Sequence, residues 1–254
     1  MILESFSLSG MTALVTGAGR GLGAAIAAGL AEAGADVACH ANATDPSATC
    51  RRIEQAGRRA FALTGDLIDR NVARSLVERT VEHFGKLDIL INNAGMIRRQ
   101  PAVEFSEENW GDTLAVHLTS AFLLAQRAAR HMIARGSGGR IVNVASLLSF
   151  QGGITVPAYA AAKGALAQLT KALANEWASK GVNVNAIAPG YIATDNNAAL
   201  RADPVRSRQI LERIPAGRWG KSSDIPGAVV FLCSPAAEYV HGHVLVVDGG
   251  WMGR

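Results

Sequence analysis

The stretch TALVTGAGRGLG, residues 12–23, decides the fold. Its first five residues are apolar or β-branched, as in a strand that is buried on both faces of a parallel sheet. Glycines then occupy every second position of the turn, namely Gly17, Gly19, Gly21 and Gly23. A strand, a glycine turn and a helix N-terminus form a phosphate cradle, because glycine admits close backbone approach and the free helix N–H groups point at the anion. We therefore predict a dinucleotide-binding unit here, which includes Arg20 and Leu22 of the turn. Taken without their context, the glycines could equally belong to an ordinary βα turn.

The same alternation of strand and helix patterns continues along the chain. We predict strands over residues 12–16, 36–40, 60–64, 87–92, 140–146, 182–188 and 243–248. We predict helices over residues 21–33, 46–57, 70–84, 106–135, 157–179 and 224–233. Alternating elements with right-handed crossovers favour a parallel sheet that is covered on both faces. The expected fold class is α/β, a Rossmann-type doubly wound, seven-stranded parallel sheet with helices on both faces.

Residues 189–223 form a long stretch without a clear pattern, rich in proline and glycine. A connection of that length in a compact domain is more often a functional lid than a linker. We predict one dinucleotide-binding catalytic domain over residues 1–254, in which residues 189–223, here called the lid segment, cover the substrate.

Composition narrows the function classes. The 254 residues are 49% hydrophobic and carry a formal net charge of +4 without a long basic block, which suits anionic small molecules at least as well as nucleic acid. Three cysteines without a CxxC spacing favour a reducing compartment. The N-terminus lacks the pattern of a secretory signal, and no apolar run of about 18 residues is present. We expect a cytoplasmic protein with no nucleic-acid partner, no membrane partner and no metal, since the HGH at 241–243 has no further ligands at metal-binding spacing.

The end of the second strand bears on the choice of nucleotide. An acidic residue there would hold the ribose hydroxyls of NAD, but Ala41 stands at that position and Asp45 comes several residues later. Arg20 lies inside the glycine turn, near the place of a 2′-phosphate, although a solvated surface charge is its alternative role. The sequence therefore does not decide between NAD and NADP as the cofactor, and it slightly favours NADP.

Ser146, Tyr159 and Lys163 form a candidate catalytic set. Ser146 ends a buried strand, and the YAAAK that follows places Tyr159 and Lys163 four residues apart on one helix face. A nearby ammonium favours the phenolate and lowers the pKa of a tyrosine from about 10, so that it can exchange protons near neutral pH. Ser146 can orient the reacting oxygen by hydrogen bonding. If YAAAK is considered alone, the alternative interpretation is that Tyr159 and Lys163 are exposed side chains on an alanine-rich helix.

Taken together, these motifs resemble the classical short-chain dehydrogenases/reductases. The matching blocks run in the usual order along essentially the whole chain: TGAGRGLG at 16–23, NNAG at 92–95, Ser146, YAAAK at 159–163, PG at 189–190 and VDGG at 247–250. The resemblance implies a nicotinamide cofactor, hydride transfer at a carbonyl carbon, and a homotetramer built partly from the helices at 106–135 and 157–179. A cofactor-binding regulator that has lost catalysis is a competing function, which the intact Ser146, Tyr159 and Lys163 argue against.

The resemblance also assigns roles to single residues. Asp66 and Leu67 would meet the adenine, and Asn93, Ala94 and Gly95 would line the adenosine side. Tyr159 would be the acid/base, and Lys163 would bind the nicotinamide ribose and tune Tyr159. The residues bordering the nicotinamide and its phosphate would be Pro189, Gly190, Ile192 and Thr194.

Longer blocks are similar to one group within the family, the sugar-acid dehydrogenases that include 2-dehydro-3-deoxy-D-gluconate and gluconate 5-dehydrogenases. They are NAGMIRRQ (93–100), ASLLSFQGG (145–153), NVNAIAPGYIATDN (183–196), RIPAGRWG (213–220) and VDGGWMGR (247–254). The expected substrate is therefore an anionic sugar acid; another carbonyl, such as a 3-oxoacyl thioester or a polyol, is the alternative.

A sugar acid needs a cationic anchor for its carboxylate, and arginine meets a carboxylate in two places. Arg98 is our first candidate, ahead of Arg99, Arg201 and Arg218, although a surface or inter-subunit ion pair is an equal possibility for each. Gln151 could meet a hydroxyl of the substrate, and Trp251 could cover the pocket from the C-terminal tail.

His117, in VHLTS, stands where the resemblance implies an asparagine that completes a tetrad with Ser146, Tyr159 and Lys163. That asparagine acts largely through its backbone carbonyl, which holds a water leading to the lysine, and a histidine keeps the carbonyl. Its side chain could fill space, pass protons near its ordinary pKa of about 6.5, or impair catalysis. We favour the structural role and keep His117 as a catalytic candidate. The other histidines, His40, His83 and His131, are expected to be structural.

Overall fold

The computed structural model describes the backbone of all 254 residues and every side chain except that of Asn196. The strands are β1 (Thr12–Thr16), β2 (Asp36–Ala41), β3 (Ala60–Thr64), β4 (Ile89–Asn92), β5 (Gly139–Val144), β6 (Val182–Pro189) and β7 (Val244–Val247). The α-helices are α1 (Gly21–Glu32), α2 (Ser47–Gln55), α3 (Arg70–Phe84), α4 (Glu107–Leu114), α5 (Ser120–Arg135), α6 (Pro157–Trp177), α7 (Ala198–Ala202), α8 (Pro204–Leu211) and α9 (Pro226–Cys233).

The described chain forms one parallel sheet of seven strands in the order β3-β2-β1-β4-β5-β6-β7. The strand order reverses between β1 and β4, which is the point where a doubly wound sheet opens a crevice. The predicted α/β, doubly wound class is confirmed, and each predicted strand is present within about two residues of its expected ends.

Both faces of the sheet are buried, because alternate residues of a strand point to opposite sides. In β1, Ala13 and Val15 join a core with α1 and α9, whereas Leu14 joins a second core with α3 and α5. All three side chains are fully buried. This two-sided burial is why the strands read as continuous apolar runs rather than as alternating ones.

The helix predicted over 106–135 is helical throughout but is not regular. Between α4 and α5, residues Ala115–Thr119 form a π-helical turn that contains His117. Such turns widen the helix locally and occur frequently at functional sites.

The lid segment differs from expectation because it contains helices α7 and α8. The α8 helix begins at Asp203–Pro204, where the Asp203 carboxylate accepts hydrogen bonds from the N–H groups of Val205 and Arg206 at 2.9 and 3.0 Å. Proline at the first helical position adds to this start signal. The same dipeptide at Asp45–Pro46 precedes α2, where the carboxylate of Asp45 accepts from the Ser47 N–H.

Candidate active site

A cleft of about 930 Å³ lies along the carboxyl ends of the central strands. In open α/β sheets ligands bind at this edge, at the point where the strand order reverses. Every predicted cofactor-binding and catalytic residue lines this cleft, and so do Arg98, Gln151 and Trp251 of the substrate candidates: Gly17, Gly19, Arg20, Gly21, Leu22, Gly23, Asp66, Leu67, Asn93, Ala94, Gly95, Arg98, His117, Ser146, Gln151, Tyr159, Lys163, Pro189, Gly190, Ile192, Thr194 and Trp251.

The glycine turn between β1 and α1 has the geometry of a phosphate cradle. Gly17 and Gly21 adopt φ values of +68° and +58°, which side-chain-bearing residues rarely take. A Cβ on Gly23 would lie 2.1 Å from the carbonyl oxygen of Gly17, so the helix can approach the strand only because position 23 has no side chain. The turn therefore fits the diphosphate of a dinucleotide at the N-terminus of α1.

The NNAG segment after β4 holds this turn in place. The side-chain amide of Asn93 donates to the carbonyls of Thr16 and Gly17 at 2.8 and 3.2 Å. In return, the Thr16 hydroxyl accepts from the backbone N–H groups of Asn93 and Ala94, each at 3.0 Å. Asn93 lines the cleft as expected, but its amide is committed to the shape of the glycine turn.

The adenosine end of the cleft has no carboxylate directly after β2. Ala41 is the last residue of that strand, and the next three lining residues are uncharged: Asn42, Ala43 and Thr44. Arg20 belongs to the glycine turn. Its guanidinium lies 3.7 Å from a carboxylate oxygen of Asp195 in the lid segment. Because both side chains are more than half exposed, this pair contributes little to stability and leaves the guanidinium available to an anion.

Ser146, Tyr159 and Lys163 meet at the opposite end of the cleft. Ser146 follows β5, and its hydroxyl accepts from the Leu148 N–H at 3.2 Å, which fixes the orientation of the side chain. The ammonium of Lys163 donates to the carbonyl of Val144 at 2.5 Å and lies 5.6 Å from the centre of the Tyr159 ring. Lys163 is almost fully buried, whereas Tyr159 keeps part of its surface open to the cleft.

The protonation of this set differs from the sequence-based expectation. Burial raises the pKa of the Tyr159 phenol, and it outweighs the hydrogen bond of Ser146 and the charge of Arg99, which both lower that pKa. Burial also lowers the pKa of the Lys163 ammonium to about 7. Both directions favour the uncharged forms, whereas the sequence-based prediction was a Tyr159 phenolate favoured by the charge of Lys163, and that effect of Lys163 stays a prediction.

His117 packs edge-on against the catalytic tyrosine candidate. Its ring lies at 89° to the ring of Tyr159, with 5.1 Å between centroids. Its Nε2 is 3.0 Å from the N–H and 2.7 Å from the carbonyl oxygen of Met96, and its Nδ1 is buried without a partner among the described residues. The ring also fills the space above Gly95, where a Cβ would lie 2.3 Å from Cε1 of His117.

The imidazole of His117 is neutral over the ordinary pH range. Burial, and secondarily the positive charge of Lys163, lower its pKa to about 3. A group with that pKa cannot collect a proton from water near neutrality, so the geometry favours the structural role over a relay.

The predicted substrate residues surround this catalytic end. Arg98 and Arg99 are exposed on a loop after β4, which is held to the loop after β5 by a hydrogen bond from the Gln100 N–H to the carbonyl of Thr155 at 2.9 Å. Trp251 is buried under the cleft, and its indole N–H donates to the side-chain oxygen of Gln151 at 3.4 Å.

The two remaining arginine candidates, Arg201 and Arg218, already have side-chain partners. Arg201 donates to the side chain of Asn197 at 3.2 Å, and Arg218 forms a bidentate pair with Asp224 at 2.7 and 3.1 Å. The Arg218 pair lowers the pKa of Asp224 to about 2. Neither arginine lines the main cleft within the described part of the chain.

Eight further cleft residues come from the lid segment and were not expected, among them Tyr191, Arg206, Gln209 and Arg213. The last three lie three or four residues apart, which is the repeat of one helix face. The start signal Asp203–Pro204 could have revealed this helix, but nothing in the sequence shows that its face turns towards the cleft.

Two observations concern other kinds of site. No group of three or more His, Cys, Asp or Glu that could hold a metal occurs among the residues described. Over that same part of the chain, no helix combines the length and the hydropathy required to cross a membrane.

Comparison with known proteins gives consistent matches. The family model described as enoyl-(acyl carrier protein) reductase matches residues 17–252. A 2-dehydro-3-deoxy-D-gluconate 5-dehydrogenase of Dickeya dadantii is 52% identical over 254 residues, the full length of both chains.

Solved structures agree in fold over the same length. A protein of Agrobacterium tumefaciens, assigned as a 2-deoxy-D-gluconate 3-dehydrogenase and holding NADP, is 56% identical, with a TM-score of 0.93 over 98% of this chain and 99% of that one. A gluconate 5-dehydrogenase of Burkholderia cenocepacia, in complex with NADP and tartrate, is 39% identical, with a TM-score of 0.94 over all of both chains.

Proposed function

Because this chain belongs to the short-chain dehydrogenase/reductase family and is an NAD(P)-dependent oxidoreductase acting on CH–OH groups, we propose the following substrate class and catalytic mechanism for it. Its substrate is a sugar acid of the gluconate or 2-dehydro-3-deoxygluconate type, and the reaction interconverts a secondary alcohol and a ketone. Relatives with these names match over the full chain, and one solved relative holds tartrate, itself a hydroxy acid.

The observation that carries the mechanism is the meeting of Ser146, Tyr159 and Lys163 at one end of a cleft whose other end is a phosphate cradle. The glycine turn would hold the diphosphate of a bound dinucleotide, Asp66 and Leu67 would hold its adenine, and Pro189, Gly190, Ile192 and Thr194 would border its nicotinamide. When bound, the cofactor supplies or accepts the hydride. The uncharged residues after β2 and the exposed Arg20 favour NADP over NAD.

Tyr159 is the proton-transfer group. Because its pKa is raised by burial, the phenol form predominates at neutral pH and can give its proton to a ketone oxygen. Ser146 donates a hydrogen bond to the same oxygen and so orients the substrate. Oxidation of an alcohol requires the phenolate, so the rate in that direction rises with pH up to the raised pKa of Tyr159, while the rate of reduction falls only as the pH approaches that pKa.

Lys163 would hold the ribose of a bound nicotinamide nucleotide, and its Nζ lies 5.6 Å from the centre of the Tyr159 ring. Arg98 and Gln151 contact the substrate, and the buried Trp251 closes the far side of the pocket. The lid segment covers the bound molecule, and we propose that residues 1–254 act as one catalytic domain.

Tyr159→Phe tests the assignment directly. The variant retains the packing of the ring but cannot transfer the proton, so we expect at least a ~100-fold loss of turnover with unchanged NADPH affinity. Turnover is followed by absorbance of the reduced nicotinamide with a panel of uronate-derived ketoacids and with both NADH and NADPH. Tyr191→Phe, which removes a hydroxyl elsewhere in the cleft, is the matched control. Wild-type rates in Tyr159→Phe would contradict the role of Tyr159, and a wild-type protein inactive on the whole panel would contradict the substrate class.

A further inference from the structure

The substrate end of the cleft is lined by two sets of cationic side chains. Arg98 and Arg99 come from the loop after β4, whereas Arg206 and Arg213 come from α8 and the turn that follows it. A sugar acid carries a single carboxylate, which one well-placed arginine is sufficient to bind through two hydrogen bonds. The contacts of each arginine distinguish them.

Arg213 is held in place by an aromatic surface. Its guanidinium carbon lies 4.0 Å from the ring centre of Trp251, the distance of a stacked cation–π contact. Trp251 itself is buried, and it packs with Leu147, Ile210 and Ile214 in a small apolar cluster. Stacking uses the flat face of the guanidinium and leaves its N–H edge free for hydrogen bonds.

The C-terminal tail braces this stack. Arg254 donates to the carbonyl of Glu212 at 2.5 Å, which ties the last residue of the chain to the residue before Arg213. Tyr191 also packs against Trp251, with 4.7 Å between ring centroids. The position of Arg213 is therefore largely set before any ligand binds, which lowers the entropic cost of using it.

The free edge of Arg213 has no counter-charge. Among the side chains that the structure describes, its guanidinium takes part in no ion pair within 4.0 Å. The stack also adjoins the catalytic end, because Leu147 directly follows Ser146 and the Trp251 indole donates to Gln151. A planar, ordered and unpaired guanidinium at this place has the features of a bidentate carboxylate site.

We propose that Arg213, stacked on Trp251, binds the carboxylate of the sugar acid, in preference to Arg98. Arg206 adds positive charge from the same face of α8, while its guanidinium donates to the Gln209 side chain at 3.0 Å. The carboxylate lies at the end of the carbon chain away from the reacting carbon, beneath α8, and the oxygen at the reacting carbon meets Tyr159. This assignment rests on the proposed function and specifies which residue recognises the acid group.

The experiment compares D-gluconate with D-glucitol, its neutral counterpart in which the carboxylate is replaced by a hydroxymethyl group. Binding to the protein loaded with NADPH is measured by calorimetry, and KM and kcat are measured with NADP. We expect Arg213→Gln to weaken gluconate binding by ~10- to 100-fold, as is typical for the loss of a charge-assisted hydrogen bond, and to raise KM more than it lowers kcat. Binding of glucitol should be unchanged, and Arg213→Lys should recover part of the affinity for gluconate.

Arg208→Gln is the matched control, because Arg208 lies on the same helix but does not line the cleft. Melting temperature and NADPH affinity show whether each variant is folded. Normal gluconate binding in Arg213→Gln, together with a loss in Arg98→Gln, would overturn the assignment while leaving the proposed function intact. A wild-type protein that turns over no sugar acid of the panel would instead overturn the proposed function.

Discussion

At the scale of the residue, burial dominates the chemistry of this site. Burial moves the pKa of Tyr159 upward and the pKa values of Lys163 and His117 downward, and each shift favours the neutral form. A motif such as YAAAK shows which groups face each other but not how much water surrounds them. The direction of these shifts therefore became accessible only when the depth of each side chain was known.

His117→Asn tests the structural role of the histidine. Since the pKa of the His117 ring is about 3, the ring stays neutral between pH 5 and pH 9. We therefore expect that replacing it leaves the pH profile of kcat unchanged. The smaller asparagine loses the contact with Tyr159 and leaves a gap above Gly95, so we expect stability to fall by about 1–3 kcal/mol.

The measurements are a pH–rate profile and a denaturant titration of the same preparation. Ser120→Ala, which removes a buried hydroxyl from the same helical region, serves as the control for stability alone. A profile in the variant that lacks an ionisation present in the wild type would indicate a proton relay through His117.

At the scale of the element, the lid segment carries Arg213, the residue that we propose binds the carboxylate. Its helix α8 is only eight residues long, and isolated helices of that length are marginal in water. The helix depends on the Asp203 cap and on the burial of Ile210 against Trp251. The face bearing Arg206 and Gln209 is directed to the cleft by these two contacts.

Asp203→Ala removes the two hydrogen bonds that begin α8. We expect a stability loss of about 1 kcal/mol and a several-fold rise of KM for the sugar acid, because the face of α8 loses its fixed orientation. The affinity for NADPH should not change, since the cradle lies at the other end of the cleft. Ser106→Ala, which removes the cap of α4 outside the cleft, should reduce stability without raising KM. A KM change of equal size in both variants would argue against a specific role of α8.

At the scale of the whole molecule, the described surface bears large apolar side chains on the helices expected at subunit contacts. Trp110 of α4 is 43% exposed and Phe122 of α5 is 37% exposed. Exposed apolar patches of this kind mark association sites when they are contiguous. We propose that these helices pair between subunits of a homotetramer.

Light scattering after size-exclusion chromatography should give four times the chain mass of 26.5 kDa. Combining Trp110→Glu with Phe122→Glu places charges in the proposed contact and should yield dimers or monomers. Leu3→Glu, at a more exposed apolar position (79% exposed) in the N-terminal 3-10 helix, should leave the mass unchanged. A wild-type mass of one chain would contradict the tetramer.

The sequence by itself determined the fold and the two ends of the cleft. Strand and helix periodicity, glycine spacing and the interval between Tyr159 and Lys163 are local properties of the chain, and they predict local structure without knowledge of packing. Parallel strands also place their carboxyl ends along one edge, so residues that end β1, β4 and β5 had to meet there.

The side chains that meet Arg213 at the proposed substrate end became apparent only from the packed molecule. Arg213 and Trp251 meet because the lid segment folds back on the C-terminal tail, and this contact has no local signal in either stretch. The π turn at His117 and the desolvation of Lys163 likewise depend on how α5 and α6 pack against the sheet. The physical reason is that burial and contact between distant positions are properties of the packed molecule, whereas the motifs report only on neighbours along the chain.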